Sequence, residues 1–360
     1  MKKTFFVAIA FCYYLLTACQ KNTPLLAPAA ASLYFPPVSG NTWETVSPTA
    51  LGWNEAELNR LYTYLQQKNT KAFIILKDGK IAVERYFGRF TADSIWYWAS
   101  AGKTITALLV GIAQKEGLLR ISDRTSQYLG NGWTSLPLEK ENLITIRHQL
   151  TMTTGLNDAV PDDDCTLRSC LQYAADAGTR WAYHNAPYTL LEKVVEAAAR
   201  TDYNTYFQRT IRNQIGMTGL WIKVGFNNVY LSNARSMARF GLLLLNRGKW
   251  GSTPILDDDN YFNDMINSSQ QLNPSYGYLT WLNGKSTHML PTVRMVFNGA
   301  LVPNAPADMY AALGKNDQKI YIVPSKNIVI VRMGESAGNV QLAASSFDSE
   351  LWEQLNKVIR

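Results

Sequence analysis

Apolar side chains recur every three to four residues through WNEAELNRLYTYLQQ (53–67), at Leu58, Leu61, Tyr62 and Leu65, the period of a helix that buries one face. The pattern then changes. AFIILKDGKIAVERYF (72–87) is two β-rich runs about Asp78-Gly79, and KIYIVPSKNIVIVRMG (319–334) is two more about Pro324 to Asn327, so each predicts a hairpin. A helical tail from about Ser345 to Ile359 closes the chain. Between these β-rich ends, TITALLVGIAQKEGLL (104–119), YTLLEKVVEAAAR (188–200) and SMARFGLLLLNRG (236–248) read as helices, and strand signals are sparse. The expectation is one antiparallel sheet flanked by helices, built from about 68–95 and 295–360, beside a mainly helical lobe at about 120–290. A cleft between the two is a natural place for chemistry.

The first residues follow another rule. Lys2 and Lys3 precede an apolar run from Phe5 to Leu16, too short to span a bilayer and shaped like a secretory signal. LTAC (16–19) resembles the lipobox of bacterial lipoproteins, which implies cleavage before Cys19 and a lipid on it. A signal at 1–18 and a Pro-, Ala-, Ser- and Thr-rich tether at 19–48 would then precede a domain at 49–360. The predicted product is exported and held by its N-terminal lipid at the periplasmic face or cell surface, with no other membrane contact.

Composition narrows the chemistry. At 360 residues, 47% hydrophobic and 18% charged, the chain can bury a large core. The formal charge of +7 falls once Lys2 and Lys3 leave with the signal, and no dense basic run remains to bind nucleic acid. With three histidines, His148, His184 and His288, and no Cys-x-x-Cys or His-Glu-x-x-His, no metal site is predicted. Cys12 lies in the signal and Cys19 would carry lipid, which leaves Cys165 and Cys170 either to close a short disulfide loop or to sit as small buried thiols.

Three stretches compete to be the reactive centre. Gly102-Lys103-Thr104 looks like the end of a phosphate loop, but that loop needs glycine at position 97, which is Tyr97. GESAG (334–338) matches a nucleophile elbow and follows a strand-like run. An elbow is followed by its acid and its histidine, and no histidine follows His288. Ser100 and Lys103 remain. Three apart on a helix, they share a face, and desolvation among Trp96, Trp98 and other apolar neighbours would lower the lysine pKa until the amine can act as a base. A serine in the first helical turn also has a backbone N–H free to face an oxyanion.

Around Ser100 the chain resembles the serine β-lactamase and penicillin-binding-protein superfamily, in the branch of class C β-lactamases, D-amino peptidases, esterases and 6-aminohexanoate-oligomer hydrolases. The resemblance covers roughly residues 50–360. It rests on WYWASAGKTITALLVGIAQKEGLLRISDRTSQYL, on ITIRHQLTMTTGL (144–156) and on GTRWAYHNAPYTLLEKVVE (178–196), which carries a Tyr-x-Asn at Tyr183, His184 and Asn185. It implies a β-lactamase-like α/β fold of the α+β type. It also implies a serine hydrolase needing no cofactor, with Ser100 as nucleophile, Lys103 as base, Tyr183 as proton relay and Asn185 as orienter. The family's third motif corresponds to ALGKNDQKIYIVP (312–324), where Gly314 would allow close approach and the Lys315 N–H would be the second oxyanion donor. Asp317 stands where a glycine is common and is expected to place an anion in the cleft. The substrate implied is a small molecule or short peptide-like compound with an ester or amide bond. A β-lactamase, a D-amino-acid peptidase, or a sensor that binds peptidoglycan fragments or β-lactams without turnover are the alternatives.

Overall fold

The computed structural model describes residues 33–339 and 342–359. The signal, Cys19 and the first part of the tether lie outside the described residues. The β-rich ends pair as the pattern predicts, in one antiparallel sheet. Its order is Lys80–Tyr86, Thr70–Lys77, Ile328–Gly334, Gln318–Val323, Tyr310–Gly314 and Trp281–Leu282. The first hairpin turns on Asp78 and Gly79, both with positive φ (51° and 82°), the backbone that a two-residue turn of this hand demands. A side chain at Gly79 would also meet the Tyr34 carbonyl oxygen at 1.9 Å.

The central strands are buried on both faces, so both faces must be covered. On one side the helix Ala234–Leu245 lies so close that a Cβ at Gly241 would meet Val329 Cγ1 at 2.4 Å and Ile320 Cγ2 at 2.9 Å. Alternation turns Lys319, Tyr321 and Arg332 to the other side, beneath the helix Ser346–Val358, where the Tyr321 and Trp352 rings meet at 5.8 Å. There, Lys319 donates to Asp348 (2.8 Å) and to the Ala343 carbonyl (2.7 Å) and pairs with Asp317 at 3.2 Å. Arg332 donates to the carbonyls of Asn316, Asp317, Lys68 and Glu335. All four charged side chains are buried.

That cluster corrects one expectation. Asp317 does not enter the cleft. Asn316 and Asp317 both take positive φ (58° each), and the turn swings the carboxylate inward onto Lys319, Ser345 Oγ (2.8 Å) and the Ala337 N–H (2.9 Å). Burial alone would push its carboxyl up, but Lys319 and these donors hold it below the usual carboxylate range.

Two boundaries also move. Residues 33–48, expected to be part of the tether, belong to the folded domain. From Leu33 the chain lies on the domain: Tyr34 N–H donates to the Asp78 carbonyl, Trp43 Nε1 to the Gly79 carbonyl, Arg239 to the Pro37 carbonyl, and Thr45 bridges Ile81. The lobe expected at about 120–290 is less purely helical. It includes a three-stranded sheet, in the order Trp96–Tyr97, Asn227–Ser232, Leu220–Val224. The segment from 295 does not join the main sheet, because Val293–Asn298 pairs locally with Thr287–Leu290 across a turn at Pro291-Thr292. The helix Lys103–Lys115 is buried on every side from Lys103 to Ala113 and forms the axis of the lobe.

Asp317→Asn is expected to leave two buried cations facing one carboxylate, at a cost of about 3–5 kcal/mol. A urea midpoint unchanged from wild type would show that the cluster does not stabilise the fold.

Candidate active site

Ser100 sits in a 3-10 turn, Ala99–Gly102, immediately before the helix that begins at Lys103. The expected place was the first turn of the α-helix itself. The turn is entered from the buried Trp98, whose Nε1 donates to Ser232 Oγ at 2.7 Å, through Ala99 at φ +47°. A non-glycine residue in that region is strained, and here the strain sets the direction of the serine. The first bond of the turn is Ala101 N–H to the Trp98 carbonyl, so the Ser100 N–H precedes the turn's own ladder. Gly314 packs directly on it: a Cβ there would lie 2.4 Å from the Trp98 oxygen and 3.2 Å from the Ser100 nitrogen. Only glycine lets the strand Tyr310–Gly314 approach this closely, and the approach brings Lys315 beside Ser100.

Lys103 is buried. Its Nζ donates to Asn185 Oδ1 at 2.8 Å and lies 3.5 Å from the Tyr188 ring centroid and 5.4 Å from that of Tyr183. Burial lowers its pKa from 10.5 to about 7, with Asp164 and Asp163 pulling weakly the other way. Tyr183, also buried, stacks on Trp281 (5.7 Å, 19° between planes). Desolvation raises its phenol pKa, opposed by a hydrogen bond with Ser100, so the hydroxyl keeps its proton at neutral pH. An amine near its neutral form and a protonated phenol thus stand at one serine, an arrangement able to accept one proton and donate another.

Ser100, Tyr183, Asn185 and Lys315 line one cleft of about 300 Å³ together with Asp163, Pro291, Thr292, Leu342 and Ala343. The structure therefore brings together Ser100, Lys103, Tyr183, Asn185, Gly314 and Lys315. Asp163 was missed in the sequence. It stands between Asp162 and Asp164 in PDDDC, a run that reads as a solvated loop, yet its carbonyl accepts from the Ala186 N–H, which pins the loop to the helix Asn185–Thr189. Burial, then Asp164, raises the Asp163 carboxyl pKa. A disulfide between Cys165 and Cys170 closes the stretch of chain that follows.

The discarded stretches are occupied otherwise. In GESAG, Ser336 Oγ donates to the Gly338 carbonyl at 2.6 Å, and the Ala337 N–H, the group an elbow would aim at an oxyanion, is bound to Asp317. His184 is buried, and burial lowers its pKa to about 4, so its ring is neutral. It does not line the cleft.

The fold and this site define a serine hydrolase of the Ser-x-x-Lys kind. The family model described as beta-lactamase matches residues 59–348, and the chain belongs to that family. An uncharacterized protein of Alkalihalophilus pseudofirmus is 24% identical over 305 residues, covering 74% of this chain and 83% of that one. Among solved structures, a putative beta-lactamase from Bacteroides dorei superposes with a TM-score of 0.67 at 17% identity, covering 85% of this chain and 99% of that one. A putative 6-aminohexanoate-dimer hydrolase from Bacillus anthracis gives 0.66 at 17%, covering 89% of each. These likenesses confirm the β-lactamase-like fold.

Two outcomes follow from the lysine. A pKa lowered from 10.5 to about 7 corresponds to a burden on folding on the order of 4 kcal/mol near neutral pH. Lys103→Met is therefore expected to raise the melting temperature at pH 7 while removing acylation. Between about pH 7 and 10.5 the unfolded chain holds the proton that the folded chain has lost, so wild-type stability gains with rising pH and the difference narrows. A variant less stable than wild type at pH 7 would count against the desolvated lysine. Activity is expected to rise with pH through about 7, and Asp164→Asn, by removing an anion that raises the Lys103 pKa, to move that limb lower. A shift to higher pH would refute the electrostatic assignment.

Proposed function

We propose that this protein is an exported, lipid-anchored hydrolase that cleaves an ester or amide bond through an acyl enzyme on Ser100. The observation that carries the reading is the buried Lys103, close to neutral at physiological pH and held by Asn185 beneath Ser100 and Tyr183. Lys103 takes the Ser100 proton as Oγ bonds to the carbonyl carbon. The amides of Ser100 and Lys315 receive the oxyanion. As the scissile bond breaks, Tyr183 gives its proton to the leaving oxygen or nitrogen and is reprotonated by the Lys103 ammonium. Water then attacks the acyl enzyme, losing its proton to the same pair. The disulfide supports an oxidising compartment, which fits export and lipidation at Cys19.

Esters and linear amides suit this cleft better than β-lactams. A β-lactam brings a carboxylate, and the Asp163 carboxylate lines the cleft near the reactive serine. Lys315 lines the same cleft, but the Lys-Thr-Gly that grips such a carboxylate in the family is absent.

Ser100→Ala is expected to abolish labelling by a fluorophosphonate, and Ser336→Ala to preserve it; the reverse result moves the nucleophile. Tyr183→Phe is expected to lower kcat/KM on an amide by roughly 10²–10⁴. With Ser100→Ala as the blank, p-nitrophenyl butyrate is expected to outpace nitrocefin, and a nitrocefin advantage of about tenfold, some 1.4 kcal/mol, would make the protein a β-lactamase. A burst of acylation without turnover on any of these would identify a sensor.

A further inference from the structure

Asn185 is not the only group of its helix that meets the reactive lysine. Tyr188 stands three positions further along the helix Asn185–Thr189, so the two share a face, and both meet the Lys103 amine. Asn185 Oδ1 accepts from Nζ at 2.8 Å, and the Tyr188 ring centroid lies 3.5 Å from the same nitrogen. Such a separation is reached only over the face of the ring, since an amine in the ring plane would collide with its edge. The Tyr188 hydroxyl reaches along the Lys103 helix to Thr106 Oγ1 (3.4 Å), which is bonded to the Tyr203 hydroxyl at 2.7 Å. Tyr188 is buried and does not line the cleft, so it is not placed to pass a proton to a substrate. What it offers Lys103 is the negative face of a π system.

When Lys103 takes the Ser100 proton it becomes a buried ammonium. Asn185 supplies one acceptor, and among the described residues no carboxylate is bonded to the amine. The other charged and titratable groups around it act from further off. Asp163 and Asp164 favour the ammonium, and Lys315 is the cation of the cleft lining. Burial keeps His184 neutral and the Tyr183, Tyr188 and Tyr276 phenols protonated. Contact stabilisation of the new charge is left to the ring. We propose that Tyr188 is the positioning residue that sets the basicity of Lys103: its ring face holds the ammonium formed at proton transfer and offsets part of the burial that neutralises the amine. The assignment rests on the Ser100 reading above. Burial unopposed would leave the amine a poor base, and a base works best when its pKa lies near the operating pH, so the two effects have to be balanced at this one nitrogen.

The test varies the charge on the ring face at nearly constant shape. Position 188 is filled with phenylalanine carrying no fluorine, then one, two and three, each of which draws electrons out of the ring. A cooperative melting transition retained through the series verifies folding. Tyr188→Phe is the reference, expected to keep the wild-type acid limb of kcat/KM for p-nitrophenyl butyrate. Weakening the attraction favours the neutral amine, so each fluorine is expected to move that limb to lower pH, by roughly one unit in all, and to lower the plateau as the base weakens, with KM unchanged. The same shift is read without turnover from the NMR resonance of Lys103 Cε, identified by its loss in Lys103→Met. A limb and a resonance that stay in place across the series, or move to higher pH, overturn the proposal. So does a uniform fall in rate with no movement of the limb, which would leave Tyr188 a packing residue only. If wild type neither cleaves the ester nor is labelled by a fluorophosphonate, the Ser100 reading itself fails and this assignment falls with it. Ester turnover with a Lys103 resonance that ignores the fluorines leaves that reading standing and removes only this one.

Discussion

The site depends on the removal of water from one lysine. An exposed lysine at neutral pH is a cation and cannot take a proton from serine. Placing Lys103 at the head of a helix that is buried on every side makes the charged form costly, and the Tyr188 ring and Asn185 then fix where the amine points. The same burial keeps the Tyr183 phenol protonated. One physical cause, acting on groups of opposite charge type, gives a proton acceptor and a proton donor at the same pH. The lysine is destabilising in the folded chain, so the surrounding core must supply what it costs.

The second requirement is to hold three segments distant in sequence at one point, and each is held differently. The Ser100 turn is locked by Trp98 and by the missing side chain of Gly314. The Tyr183–Asn185 segment is fixed by aromatic stacking and by the Asp163 carbonyl, which accepts from Ala186. The 314–318 turn is held from behind by Arg332, and the 342–345 loop by Lys319, both from the buried charge cluster. A buried ion cluster is weak evidence for stability in itself. Here its bonds run to the backbone of cleft-lining Ala343 and of Asn316 and Asp317, which follow cleft-lining Lys315, so it sets the position of both segments.

How much of this was legible in the sequence follows from which interactions are local. The Asp78-Gly79 hairpin, the turn at Pro324–Asn327 and the terminal helices are specified by neighbouring residues, and their patterns read directly. Ser100, Lys103, Tyr183 and Asn185 were found through motifs whose context extends along the chain. Asp317 was misplaced because its direction depends on two consecutive positive-φ residues and on a lysine and a helix far away in sequence, none of which a residue alignment carries. Asp163 was overlooked for the converse reason: an acidic run looks solvated until a long-range bond draws it to the cleft. The docked segment from Leu33 to Thr45 has the composition of a linker, and only its backbone partners on the domain make it part of the fold.

The sheet at Trp96–Tyr97, Asn227–Ser232 and Leu220–Val224 joins these arguments. Its inner face is part of the packing that buries the nucleophile turn: a Cβ on Gly102 would meet Trp221 at 3.0 Å, and Trp98 rests on Tyr230. That inner face therefore has to be apolar for Ser100 to be held. Nothing about holding Ser100 asks for the outer face to be apolar too. Solubility would favour polar residues at Leu220, Ile222 and Val224, since an exposed apolar face on an edge strand invites aggregation. The hydrophobic residues there run against that tendency, on a face that shares no residue with the lining of the catalytic cleft.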